Sequence, residues 1–291
     1  MNHLAASELI LNKDGSIYHL ALRPEQIADT IIVVGDPDRV DKLTQYFDNV
    51  EHVVKKREFH TQTGTYKGKR LTVLSTGIGT DNIDIVLNEL DALVNIDFET
   101  RQIKEKKTSL NIVRVGTSGS IQKDIPVDAI VSSKLAVGFD TVLHFYQSDD
   151  VQLHDFNKAL EEHLDLNPAN SKPYVVESDQ EFASIFNSPE VFEGFTGSNV
   201  GFYAPQGRVL RLPLRDQNMK ERLSSFEFKG KRITNLEMET SAIFGLSKLL
   251  GHKAASLNAI IANRATGNFS KDAAKAIDNL IRYTLDKLAA S

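Results

Sequence analysis

An α/β layered domain is what this 291-residue sequence predicts, on two observations. Short apolar, β-branched runs alternate with longer segments of helical period, and no Pro/Ser linker, low-complexity tract or fixed-period repeat divides the chain. The strand candidates are 30–34, 71–75, 110–115, 129–132, 174–177, 199–203, 232–236 and 256–262. Helices read best at 39–46, 82–94, 238–250 and 271–288. The third stops at Gly251, because Gly tolerates the left-handed conformation that ends helices, and the fourth follows Ser270, a good N-cap. Segment 147–195 mixes charges, Asn and Pro with short helical pieces such as 151–164, and is expected to lie as an insertion over the sheet. Segment 97–109, with Lys104, Lys106 and Lys107, reads as a polar surface loop. One domain spanning 1–291 is expected.

Composition narrows the function classes. An apolar fraction of 41% with 25% charged residues, and 25 Gly and Pro together, argues against disordered, collagenous and coiled-coil chains. The net charge is −5 and no long basic run occurs, which argues against a nucleic-acid partner, since phosphate-driven binding needs clustered cations. The absence of Cys removes disulfides, thiolate metal sites and Cys nucleophiles together. Met1-Asn2-His3-Leu4-Ala5-Ala6-Ser7-Glu8 has no basic region followed by an apolar one, and no apolar run approaches the ~18 residues of a membrane span. A cytoplasmic protein without a membrane partner is the expectation.

Five segments could carry chemistry. Gly35-Asp36-Pro37-Asp38-Arg39-Val40 follows a strand and opens a helix; backbone N–H groups, the helix dipole and Arg39 suit an anion, and a plain turn capped by Asp38 suits the residues equally well. Ser75-Thr76-Gly77-Ile78-Gly79-Thr80-Asp81-Asn82 begins like a dinucleotide fingerprint but has Asn82 at the third Gly position, so close backbone approach to a ligand or neighbouring chain is preferred to a nucleotide cofactor. In Arg114-Val115-Gly116-Thr117-Ser118-Gly119-Ser120, an arginine in an apolar strand needs an anionic partner, either phosphate or an internal carboxylate. Glu237-Met238-Glu239 at a strand–helix junction could bind vicinal sugar hydroxyls or form a capping pair. In Phe202-Tyr203-Ala204-Pro205-Gln206-Gly207-Arg208, the Gln amide and Arg guanidinium match a planar imide beside an aromatic face; in isolation the segment is a surface loop.

Taken together and in this order, these segments, with Arg57-Glu58-Phe59 and Asn263-Arg264, resemble the nucleoside phosphorylase family that contains uridine phosphorylase, and match its uridine-specific branch best. The resemblance runs from Tyr18-His19-Leu20 to Arg264 and is thinnest across 147–195. It implies a three-layer αβα sandwich with a twisted mixed β-sheet, assembled as homodimer units that usually form homohexamers. It implies a phosphate pocket of Gly35, Arg39, Arg114 and Thr117, joined by Arg57 of an adjacent subunit. Ribose falls to Met238 and Glu239, with Glu237 nearby and His19 from the neighbour, and the base to Phe202, Gln206 and Arg208 with Ser118, Gly119 and Arg264. Three departures accompany the match. The segment 197–201 is smaller than usual, Gly207 stands where an acidic residue is common, and Asn82 replaces a frequent Ser ligand, which leaves a monovalent cation beside Glu58 open.

These roles imply phosphorolysis of uridine, with deoxyuridine or thymidine as further substrates, in pyrimidine salvage. Glu239, Arg208 and Arg114 carry the catalysis, inorganic phosphate is the co-substrate, and neither resident metal nor organic cofactor is expected. Purine-specific relatives place a proton-donating acid near Arg264, and an arginine cannot play that part. Phosphorolysis of purine or modified nucleosides is the alternative enzyme, and a non-catalytic nucleoside-binding protein the alternative of another class.

Overall fold

A computed structural model describes residues 3–291; Met1 and Asn2, the start of the segment read above for a leader, lie outside the described residues. In chain order the elements begin with β1 (Thr30–Val34), α1 (Pro37–Thr44), β2 (Asn49–Lys56), β3 (Phe59–Tyr66), β4 (Lys69–Ser75) and α2 (Thr80–Asn95). The hairpin of β5 (Ile96–Asp97) and β6 (Gln102–Ile103) leads to β7 (Asn111–Ser120), β8 (Ile130–Gly138), α3 (His154–Leu164), β9 (Tyr174–Glu177), α4 (Gln180–Ser184) and β10 (Val191–Ser198). After α5 (Met219–Ser225) and the hairpin of β11 (Glu227–Phe228) and β12 (Lys231–Arg232) come β13 (Asn235–Glu237), α6 (Thr240–Leu250), β14 (Lys253–Asn263), β15 (Asn268–Phe269) and α7 (Ala273–Ala290).

The predicted mixed sheet flanked by helices is present. Its strands run β15-β14-β8-β10-β13-β7-β1-β4-β3-β2, with β9 added on β8. Because β14 pairs with β7 as well as β8, the strands β14, β8, β10, β13 and β7 close into a ring, a feature the sequence did not announce. Every residue of β1 is buried, as a continuous Thr-Ile-Ile-Val-Val run requires when both sheet faces are covered. Its side chains alternate: Ile31 and Val33 pack with Ile83, Leu87, Ile243 and Phe244 of α2 and α6, while Ile32 and Val34 pack with Val40, Leu43, Leu280 and Ile281 of α1 and α7. The parallel strands β4, β1 and β7 send their carboxyl ends to one edge, where Gly35 and Gly77 follow β1 and β4.

Several expectations are corrected. Segment 199–203 is not a strand; β10 ends at Ser198 and the loop begins at Asn199. Gly194 and Gly197 hide β10 from a periodicity reading, yet both are required by close packing, since a Cβ at 194 would run into Val131 Cγ1 and one at 197 would lie 2.7 Å from Leu236 Cδ2. Segment 147–195 is no overlay, because β9 and β10 both belong to the sheet. The expected strand 232–236 is two pieces, β12 in a separate hairpin and β13 in the sheet. Strands β2 and β3 carry no hydrophobic pattern in NVEHVVKK and FHTQTGTY: β2 is the exposed edge of the sheet, whereas β3 is buried between β2 and β4 and carries polar side chains such as Thr63, hydrogen-bonded to Thr72. The first and last helices are capped by Asp36 and Asp272, whose carboxylates accept from the N–H groups of Asp38 (3.0 Å) and Lys275 (2.9 Å), rather than by Asp38 and Ser270. Gly251, at φ +78°, does terminate α6. No helix among the described residues is long and apolar enough to cross a membrane.

The Gly194 contact sets a stability test. Gly194→Ala is expected to cost about 1–3 kcal/mol by overpacking, and less in a Val131→Ala background, measured by denaturant unfolding of the four proteins. Equal costs in both backgrounds would show that the crowding lies elsewhere.

Candidate functional site

The five segments meet in one cavity of about 790 Å³ at the edge where β1, β4 and β7 end. Its walls include Gly35 and Arg39, Glu58, Gly77, Arg114, Thr117, Ser118 and Gly119, Phe202, Gln206 and Arg208, Glu237, Met238 and Glu239, and Arg264. That size lies in the usual range for a small-molecule site.

At the floor is Arg114, 5% exposed. Strand β7 continues past it to Ser120, so Thr117, Ser118 and Gly119 lie on the strand and not beyond its end. Arg114 Nη2 donates to Glu239 Oε2 at 2.6 Å and lies 3.1 Å from Glu237 Oε2, while Nη1 donates to Asn258 Oδ1 at 2.8 Å. Gly116 is obligatory beneath it, since a Cβ there would occupy the guanidinium's place. Burial works against the Arg114 charge, but Glu237 and Glu239 outweigh it and hold the group above its ordinary value.

The two carboxylates divide the roles that the sequence left open. Glu237 is the cap: it accepts from the N–H of Glu239 (3.0 Å) and of Thr240 (3.1 Å) at the start of α6, and from the Ser198 hydroxyl (2.5 Å). Glu239, itself at the N-cap position, accepts from the Gly79 N–H at 2.9 Å, which gives the second Gly-rich segment its place. Burial first, then the neighbouring Glu237, raises the Glu239 carboxyl, with Arg114 pulling the other way.

Arg39 stands in the first turn of α1 beside this cluster. Its guanidinium donates to the Val115 carbonyl at 3.3 Å and has no ion-pair partner among the described residues. Burial, and then Arg114, lower its proton affinity. A buried cation so placed, near a helix N-terminus and a Gly turn, offers a seat to an anion.

On the other side, Arg208 lies 3.9 Å from the Phe202 ring centroid and donates to the Phe202 carbonyl (2.7 Å) and the Gln206 side-chain oxygen. Burial and the nearby Arg264 bring Arg208 down to about 10. Gln206 is 1% exposed, and Arg264 donates to the carbonyls of Gln206 and Gly207, which ties this loop to the end of β14. Gly119 lies beside both arginines: a Cβ there would come within ordinary van der Waals contact of Arg264 Cδ (3.6 Å) and Arg208 Nη2 (3.7 Å).

Two expected residues stand apart. His19 Nδ1 is 2.7 Å from Glu89 Oε1, and Arg57 is an exposed turn residue at φ +57° with its guanidinium over the Tyr18 ring; neither lines the cavity. The sequence reading gave no role to Asn258, Ser198, Ile78 or the exposed Phe269 on β15, of which Ile78 and Phe269 line the cavity. Asn258 carried a signal, a polar residue inside the apolar run of β14; Phe269 carried none.

Residues 29–289 match the sequence profile of the phosphorylase superfamily. The chain belongs to it. Over 263 residues it is 28% identical to the uridine phosphorylase of Thermococcus kodakarensis, covering 89% of this chain and 82% of that one. Over 252 residues it is 27% identical to the DeoD-type purine nucleoside phosphorylase of Bacillus subtilis, covering 86% and 88%. A solved Trypanosoma brucei nucleoside phosphorylase, described as showing uridine phosphorylase activity, superposes with a TM-score of 0.88 at 30% identity, over 98% of this chain and 100% of that one. The chain is thus a nucleoside phosphorylase family enzyme of the pentosyltransferase class, whose members act on a nucleoside and phosphate.

Removing the floor cation tests the electrostatics. Arg114→Met leaves two buried carboxyls without it and is expected to cost about 3–5 kcal/mol. The Glu239 carboxyl, already raised, rises further, so its protonation favours the folded state. Stability is then retained below the ordinary carboxylate range and lost as the pH climbs through the folded value. The Tm deficit against wild type should be larger at pH 8 than at pH 5; equal deficits would contradict the cluster's charge assignment.

Proposed function

We propose that the enzyme cleaves uridine with phosphate, giving uracil and ribose 1-phosphate, with 2′-deoxy pyrimidine nucleosides as further substrates, in pyrimidine salvage. The observation that carries this reading is the pairing of Gln206 with Arg208 on one wall while Arg264, not a carboxyl, occupies the far end of β14. In this reading Gly35, Arg39, Arg114 and Thr117 hold phosphate, Met238 and Glu239 hold ribose with Glu237 behind them, and Ser118, Gly119, Phe202, Gln206, Arg208 and Arg264 surround the base. Arg57 and His19 reach the site of a neighbouring subunit in a homodimer unit, which accounts for their place outside the cavity of a single chain.

The chemistry follows from charge. As the glycosidic bond lengthens, the ribosyl carbon becomes cationic, and the Glu239 carboxylate and the phosphate dianion favour that state. A phosphate oxygen bonds to the anomeric carbon, and the bonding pair of the C–N bond leaves with uracil. Arg208 and Gln206 stabilise the anion spread over its carbonyl oxygens, an interaction that grows toward the transition state. Arg208 must leave Phe202 and share Gln206 to do so. The reaction as written calls on no metal or organic cofactor, because phosphate is itself the nucleophile.

Purine phosphorolysis is the second reading, favoured by the likeness to the Bacillus subtilis enzyme. One experiment separates them: cleavage of uridine, thymidine, inosine and adenosine followed by absorbance with and without phosphate. Uridine loss only when phosphate is present is the expected result. Cleavage without phosphate would overturn phosphorolysis, and inosine or adenosine ahead of uridine would overturn the base assignment.

A further inference from the structure

Behind Glu237 runs a line of buried hydrogen bonds that the proposed reaction does not use. It begins at Asp140, 2% exposed, just past the end of β8. Asp140 accepts from the Val142 N–H (2.8 Å) and from the Tyr174 hydroxyl (2.8 and 2.7 Å to its two oxygens). The Ser241 hydroxyl donates to Asp140 Oδ2 at 3.1 Å, and the Ser241 backbone N–H, in the first turn of α6, donates to Ser198 Oγ at 2.9 Å. Ser198, the last residue of β10 and fully buried, donates in turn to Glu237 Oε1 at 2.5 Å. The Ser241 N–H occupies an acceptor site on Ser198 and so turns the hydroxyl proton toward Glu237.

We infer that Ser198 is a positioning residue for the reaction: by holding Glu237, it sets how the Arg114 guanidinium is divided between Glu237 and Glu239, and Asp140 holds Ser198 in turn through Ser241. The inference rests on the phosphorolytic reading of the cavity. Its logic is competition for one cation. Arg114 now sits closer to Glu239 (2.6 Å) than to Glu237 (3.1 Å), because Glu237 is already supplied by Ser198 and two backbone N–H groups. Without the serine hydroxyl, Glu237 Oε1 keeps only the Thr240 N–H at 3.1 Å. A buried carboxylate deprived of a donor draws on the nearest cation, so Arg114 moves toward Glu237 and yields part of its hold on Glu239. Glu239 faces the sugar and Arg114 faces the phosphate, so both substrates feel the shift. The charged and titratable groups around this cluster are Arg114 on β7, Arg39 on α1, Glu239 at the head of α6, Asp140 after β8 and Tyr174 on β9.

A purely structural serine would give a different phenotype, since Ser198 also caps an N–H of α6. Steady-state kinetics of wild type, Ser198→Ala and the near-isosteric Ser198→Cys separate the two. The expected result is a rise in KM for both phosphate and nucleoside, with kcat/KM lower by about tenfold, as loss of a hydrogen bond to a buried charged group implies. The acid limb of kcat/KM should move to higher pH, because Glu239 with less of Arg114 takes up its proton sooner. A lowered Tm with KM values and acid limb unchanged in both variants would overturn the inference. Calorimetric titration of inorganic phosphate into wild type and Ser198→Cys reads the same displacement without turnover: severalfold weaker binding upholds it and equal binding overturns it. A wild type that binds phosphate but cleaves no nucleoside would sink the proposed reaction while leaving this comparison intact.

Discussion

A guanidinium buried in a sheet must be neutralised where it stands, and the site is organised around meeting that demand for Arg114. Two carboxylates and one amide surround it, brought from β13, the head of α6 and β14. The same Glu237 that faces the cation caps α6, so the helix start and the ion cluster fix each other. Gly116 must lack a side chain for the guanidinium to lie flat over β7, and the parallel register that sets Gly116 opposite Asn258 brings the amide to it. One cation thus ties three strands and a helix together at the point where the cavity opens.

Arg39 sits beside this balanced group with no ion pair among the described residues, so the cavity carries positive charge there. In the proposed reaction phosphate completes the neutralisation, and the attacking group is drawn to its seat by the interaction that stabilises it there. In the same cavity Arg208 is held against Phe202 and Gln206, its charge partly desolvated. In that proposed reaction the two arginine groups act on either side of the anomeric carbon, one on the entering nucleophile and one on the leaving group.

The sequence was legible where a residue type contradicted its surroundings. Arg114 in an apolar strand and Gly35 after a continuous buried one could be placed from local chemistry alone, and the structure brings both to the same cavity. Reading was ambiguous where one geometry serves two purposes: Glu237 and Glu239 look alike in sequence, and only the fold makes the first a cap and the second a cavity wall. It failed where glycine erases the hydrophobic period. Strand β10 was displaced to 199–203 because Gly194 and Gly197, chosen for close packing, carry no apolar signal. The closing pair of β14 with β7 was equally hidden, since pairing across well over a hundred residues of intervening chain leaves no local trace. Phe269 and Ser198 were missed for the same reason, being made significant only by partners far away in sequence.

The central claim, that Arg114 and Glu237 form one energetic unit on which the site is built, is tested most directly by a double-mutant cycle. Denaturant unfolding of wild type, Arg114→Met, Glu237→Gln and the double variant gives the coupling between the two side chains. The account predicts a coupling of at least about 1.5 kcal/mol, the double variant being less destabilised than the sum of the singles. Additive losses would contradict it and would leave Glu237 as a helix cap that merely stands near a cation.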